Sequence, residues 1–336
     1  MRLGRLLAVL TAGGSLASRV ARKLRRRPHD EPDADARGRY ARSPLEMTAR
    51  GWRDVLLRSW YDIFEDRLLS VAAGAAFFGL MAVVPGLAVL TLLFGLFSDG
   101  AKLELQLAPL FELMPASAAE LVLEQARRLA GQSSDTLSTK LVASLAIAIW
   151  SANAGIKAMF DALNVAYGEA EQRSFLWLNT ISLLTTFCAA LLLIIMLLLT
   201  AVLPAILHFL PFPDMADEVF RQVRWPLFLV LATLSIAMLY WIGPCRRKVR
   251  FRWVLPGAII AALLWALVSW LFSFYVTTLG NYQVTYGSLS AVIVFMTWLW
   301  LSAFVILLGA EINAQLEHQT LIDTSNGKAP PTLATN

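Results

Sequence analysis

Four polar residues, Asn153, Lys157, Asp161 and Asn164, recur at intervals of 4, 4 and 3 in a segment whose other residues are mostly apolar. At about 100° per residue they fall within an arc of about 80°, a single polar stripe along one helix face. A second set, Glu311, Asn313 and Gln315, stands in "VILLGAEINAQLEH", where Glu311 is the first charge after a long apolar run. Amides, an ammonium and a carboxylate in an apolar medium have two uses. They line a watery path for a polar or charged solute, or they hydrogen-bond neighbouring helices and snorkel toward water.

Other chemistry is absent from the motifs. There is no Gly-rich phosphate loop, no Gly-x-Ser-x-Gly elbow, no His-Glu-x-x-His and no Cys-x-x-Cys. His29, His208 and His318 lie too far apart to share a metal, so no metal and no cofactor is expected. Cys188 falls in an apolar run and Cys245 in a basic loop, and they imply no disulfide framework. The basic stretch "RRKVRFR", with Arg246, Arg247, Lys248, Arg250 and Arg252, sits in a short loop between apolar runs. There it is expected to fix topology and touch anionic lipid, with no nucleic acid as partner.

The elements that must position these groups follow from composition. The chain has 336 residues, 57% of them hydrophobic and 16% charged, with mean hydropathy +0.60. That is too apolar for a soluble protein of this size. Charge-free runs cover Leu68 to Ser98, Leu141 to Ile156, Ser174 to Pro213, Trp225 to Cys245 and Trp253 to Ala310. A helical span takes about 20 apolar residues, so the last run holds two. The expectation is an all-α polytopic bundle of six transmembrane helices over 70–97, 140–161, 175–207, 226–243, 254–279 and 288–312.

With both termini on one side, 23 of the 29 Lys and Arg lie on that side and 6 on the other. The positive-inside rule then puts both termini in the cytoplasm. A cleaved signal peptide over Met1 to Ser18 is the competing reading, and the basic residues that follow it oppose translocation. In this topology Lys157 and Glu311 lie at one membrane depth near the cytoplasm and are expected to pair.

The domain plan is a largely disordered basic arm over 1–42, a membrane domain over 43–320 and a disordered polar tail over 321–336. Ser43 to Glu46 reads as a capping box opening a helix over 44–66. That helix carries Trp52, Leu56, Trp60 and Ile63 among Arg50, Arg53, Arg58 and Arg67. It suits either an anionic leaflet surface or the underside of the bundle. Two amphipathic helices over 101–130, broken at Pro115, are expected on the outer side as a lid or as interfacial padding. Pro85, in "VVPG" near the middle of the first span, removes a backbone donor and should kink it. "VVPG" and "VLPG" (Val254 to Gly257) fall in the first and fifth spans, which do not correspond in an inverted three-plus-three repeat.

"AAGAAFFGLMAVVPGLAVL" (Ala72 to Leu90), "WSANAGIKAMFDALNVAY" (Trp150 to Tyr167), "RFRWVLPGAIIAALLW" (Arg250 to Trp265) and "YGSLSAVIVFMTWLWLSAFVILLGAEINAQLE" (Tyr286 to Glu317) together resemble the YihY/BrkB family. The resemblance runs over roughly 50–320 and implies a bacterial inner-membrane protein of about six spans, with an unsettled activity. Ribonuclease, virulence-factor and lipid-transport roles have all been attached to members. Phe77, Phe78 and Ala82 stand where many relatives carry Tyr and Ser.

Three functions remain in view. The first is non-catalytic handling or transport of an envelope lipid or amphipathic solute, through a cavity holding Asn153, Lys157 and Glu311. The second is an envelope scaffold that uses the long arm, and the third is a membrane-tethered ribonuclease. The expected partners are membrane lipids of the anionic inner leaflet, and no oligomeric state is implied.

Overall fold

In a computed structural model, residues 41, 43–97, 137–207, 213–246, 250–278 and 289–319 are described. The basic arm, the outer helices expected over 101–130, the link between the last two spans and the tail lie outside the described residues. Among the described residues the chain is all-helical: α1 (Ala49–Glu65), α2 (Leu68–Phe97), α3 (Leu137–Ala166), α4 (Phe175–Leu207), α5 (Pro213–Ile242), α6 (Phe251–Thr278) and α7 (Ser290–Gln319).

Four of these helices are long and apolar enough to cross a membrane: α4 over Phe175–Leu192, α5 over Trp225–Ile242, and α6 and α7 over their whole lengths. α2 adds an apolar stretch over Leu68–Ala82. α4 coincides with the expected third span, whereas α7 runs to Gln319, well past the expected exit at 312. Glu311 therefore lies inside a helix and not at its end. The helix continues because its late polar residues find partners on neighbouring elements, so no backbone has to leave the bundle to solvate them.

Local chemistry sets the ends of these helices. Pro44–Glu46 forms a separate 3-10 turn, and α1 begins after Thr48, whose Oγ1 accepts from Gly51 N at 3.1 Å. Ser43 instead donates its hydroxyl to the Glu46 carboxylate at 3.2 Å, so the helix expected from 44 starts at Ala49. Arg67, at φ 51, separates α1 from α2. α3 closes on Gly168 at φ 62, and Glu169 N bonds back to Asn164 C=O at 2.8 Å, the left-handed ending that glycine permits.

The core is built of small residues. Ala72 and Ala75 of α2 are buried with Ala162 and Ala166 of α3, Ala258, Ala261 and Ala262 of α6, and Ala303, Ala310 and Ala314 of α7. In a membrane, lipid tails are as apolar as leucine, so close backbone approach and dispersion carry association. At the α2–α3 crossing a Cβ on Gly155 would lie 3.6 Å from the Phe78 carbonyl. At the α6–α7 crossing a Cβ on Gly309 would lie 2.5 Å from the Gly257 carbonyl. α4 is peripheral, with Phe175, Leu176, Trp177, Leu184 and Phe187 all exposed, a face suited to lipid.

Candidate functional site

The stripe on α3 divides among three surroundings. Asn153 is buried, and its Oδ1 has no hydrogen-bond partner. Lys157 is half-buried and donates its Nζ to Asn179 Oδ1 on α4. The expected partner, Glu311, is thus replaced by an amide on the adjacent helix, which Asn179 holds in place by donating to Phe175 C=O at 2.7 Å. Asp161 is exposed. Asn164 is buried and staples two connections: its Oδ1 accepts from Cys245 N at 2.8 Å and its Nδ2 donates to Glu171 Oε2 at 3.1 Å.

Glu171 and Arg173 extend that staple. Arg173 Nε and Nη2 meet the two Glu171 oxygens at 2.8 and 2.7 Å, a two-pronged pair, and Arg173 N adds a bond of 2.9 Å. The same guanidinium donates to Ile242 C=O at 3.2 Å and Gly243 C=O at 2.6 Å, closing the C-terminal end of α5 where the helix dipole favours a cation. Burial opposes ionisation of Glu171, but the bonds from Arg173 and Asn164 outweigh it and hold the carboxyl at about 2.

The last three turns of α7 carry the second site. Glu311, Gln315 and Gln319 repeat every four residues and so share a face directed at α1. Gln315 Nε2 donates to Glu311 Oε1 at 3.0 Å and to Asp62 Oδ2 at 2.6 Å, while Arg58 donates to Gln319 Oε1. Glu311 is 1% exposed, and its Oε2 has no partner. On the opposite face Asn313 Oδ1 accepts from Gly257 N at 2.8 Å and Nδ2 donates to Val254 C=O at 2.9 Å. Pro256 lies between them and has no N–H to give its own helix.

Glu317, one turn beyond Asn313, receives Arg246 Nη1 at 2.7 Å. Arg246 also donates to Tyr240 C=O at 2.8 Å and stacks 3.8 Å over the Tyr167 ring. It therefore points inward instead of toward anionic lipid, because an acid, a carbonyl and an aromatic face converge on it. Burial pushes the Tyr167 hydroxyl up, against the opposing pull of that cation. Arg250 and Arg252 are exposed, and Arg247 and Lys248 lie outside the described residues, as does the side chain of Pro85.

Sequence reasoning missed Arg173, Arg246 inside the bundle, and the α1 partners of α7. Its signal was present: residues 311, 315 and 319 and residues 313 and 317 each repeat by four, on faces about 180° apart at 100° per residue. A helix polar on two opposite faces near an apolar core has protein on both sides.

Residues 59–332 match the family described as Virulence factor BrkB. The ribonuclease-like protein YfkH of Bacillus subtilis is 37% identical over 183 residues, 53% of this chain and 66% of that protein. A UPF0761 membrane protein of Cronobacter sakazakii is 28% identical over 76% of this chain and 86% of its own length, and one of Idiomarina loihiensis is 32% identical over 35% and 43%. The matched part thus spans slightly less than two thirds of YfkH and under half of the Idiomarina protein. No solved structure matches the chain.

Proposed function

The chain belongs to the virulence factor BrkB family of membrane proteins, and from that premise we propose that it handles an envelope lipid or amphipathic solute in the bacterial inner membrane, without covalent chemistry or a cofactor. In this reading six helices span the membrane, α2 and α3 completing the set, and both termini are cytoplasmic. Arg250 and Arg252, both exposed, face the anionic inner leaflet.

One observation carries the reading. Asn153 Oδ1 and Glu311 Oε2 are buried polar atoms with no hydrogen-bond partner in the protein. An unsatisfied buried polar atom costs about 1–3 kcal/mol, and at functional sites that cost is offset by what binds. Asn153 Oδ1 calls for a donor and the Glu311 carboxyl for a polar partner, and hydroxyl-bearing headgroups supply both. The ribonuclease-like name belongs to YfkH, and among the described residues no group of three or more His, Cys, Asp and Glu side chains is placed to hold a metal ion.

The test is movement of a labelled phospholipid between leaflets of vesicles holding the purified full-length protein. Wild type should exceed protein-free vesicles, and Asn153→Leu and Glu311→Gln should fall toward them while remaining folded by circular dichroism. Equal rates with and without wild-type protein overturn the proposal. If deletion of residues 1–42 alone then abolishes the cellular phenotype, the scaffold reading replaces it.

A further inference from the structure

α1 presents three faces, of which one is buried against the rest of the described residues. Gly51, Val55, Ser59 and Ile63 repeat by four and are buried. Val55 packs with Ile312 and Leu316 of α7 and Trp253 of α6. Taking Leu56 as the origin and about 100° per residue, this buried face covers about 220–340°. Leu56, Trp60, Phe64 and Leu57 follow at about 0–100°. They are 51%, 61%, 59% and 39% exposed. The Trp60 and Phe64 rings meet edge to face at 5.6 Å, so the stripe is a continuous apolar ridge.

The charges are sorted around that ridge. Arg53, exposed, lies within the apolar arc at about 60°, and Arg50, also exposed, lies just beyond its edge at about 120°. The acids Asp54 and Glu65 fall together at about 160–180°, on the third face. The apolar arc itself carries Arg53 and no acid, while Asp54 and Glu65 share the third face with Tyr61 and Arg58. An acid-free aromatic arc with an arginine inside it suits a membrane surface, where aromatic rings enter the boundary between acyl chains and headgroups and an arginine snorkels to phosphates. The helix is also tied directly to the membrane domain, since the apolar α2 starts three residues after α1 ends.

We infer that α1 is an interfacial helix whose Leu56–Trp60–Phe64 ridge is seated in an anionic lipid leaflet while its opposite side grips α7. The inference stands apart from lipid movement and holds or fails without it. Full-length protein carrying Cys188→Ala and Cys245→Ser, with a spin label at Trp60→Cys, Phe64→Cys or Glu65→Cys, is placed in lipid nanodiscs. Collision with oxygen and with a water-soluble nickel chelate then reports depth. Labels at 60 and 64 should favour oxygen over nickel severalfold, the label at 65 should show the reverse, and depth at 60 and 64 should increase from phosphatidylcholine to phosphatidylglycerol discs.

Nickel access at 60 and 64 equal to that at 65 overturns the inference in favour of a solvated ridge. Spin–spin broadening at 60 and 64 overturns it in favour of a second copy of the chain. Equal depth in the two lipids overturns its anionic part.

Discussion

The side-chain amide of Asn313 is inserted into the backbone of α6 at Gly257, accepting from Gly257 N at 2.8 Å while donating to Val254 C=O at 2.9 Å. Asn313 is completely buried, so water cannot replace either bond. Asn313→Ala removes both bonds and should lower stability by about 1–3 kcal/mol, at about 0.5–1.5 kcal/mol for each. Asn313→Asp keeps the acceptor and loses the donor, and should fall between. Thermal unfolding of purified protein in detergent checks the order wild type, Asp, Ala. A melting temperature unchanged in Asn313→Ala contradicts it.

The four long apolar helices were legible because hydropathy over some twenty residues is a strong signal, and α4 matches its expected bounds over 175–207. The far end of α7 was not legible by that signal. Hydropathy stops at Glu311, but backbone bonds and tertiary partners carry α7 on to Gln319, eight residues later. The stripe on α3 was visible as a period, but a period shows which face is polar and not which helix faces it. Lys157 thus went to Asn179. Arg246 looked like one of five lipid-facing cations because nothing local marks it, and only Glu317 and Tyr167, distant in sequence, draw it inward.

Two glycines should respond differently to the same methyl group. A Cβ on Gly309 would lie 2.5 Å from Gly257 C=O, 2.6 Å from Tyr240 Oη and 2.7 Å from Ala261 Cβ, with backbone and a packed methyl unable to yield. A Cβ on Gly155 would be 3.6 Å from its nearest neighbour, an ordinary contact. Gly309→Ala should therefore cost about 1–3 kcal/mol or more as overpacking, and Gly155→Ala should be neutral or slightly stabilising through helix propensity. Paired melting curves decide it, and equal losses would contradict the close α6–α7 crossing.

Glu171 makes acid stability testable. Its carboxyl is held at about 2 in the folded protein against an ordinary 4.5. A lowered folded value means the stabilisation is fully present above 4.5 and is lost as pH falls through the interval down to about 2. Wild type should exceed Glu171→Gln in melting temperature by a constant margin at neutral pH. That margin should shrink as pH falls below 4.5 and vanish near 2. A margin independent of pH across this range would show that Glu171 contributes packing alone.

Arg246 and Glu317 form a 2.7 Å pair with side chains only 2% and 5% exposed. Removing one partner leaves a buried charge without its counter-ion, which typically costs about 3–5 kcal/mol. Removing both spares that penalty. Arg246→Met and Glu317→Met should each destabilise strongly, whereas the double variant should recover much of the loss, because two thioether chains fill similar volume without desolvating a charge. Recovery should be incomplete, since Arg246 also donates to Tyr240 C=O and covers the Tyr167 ring. Four melting curves form the double-mutant cycle. Additive losses would mean that the two side chains act separately, and that the link between the end of α5 and α7 rests on Tyr240 and Tyr167 instead.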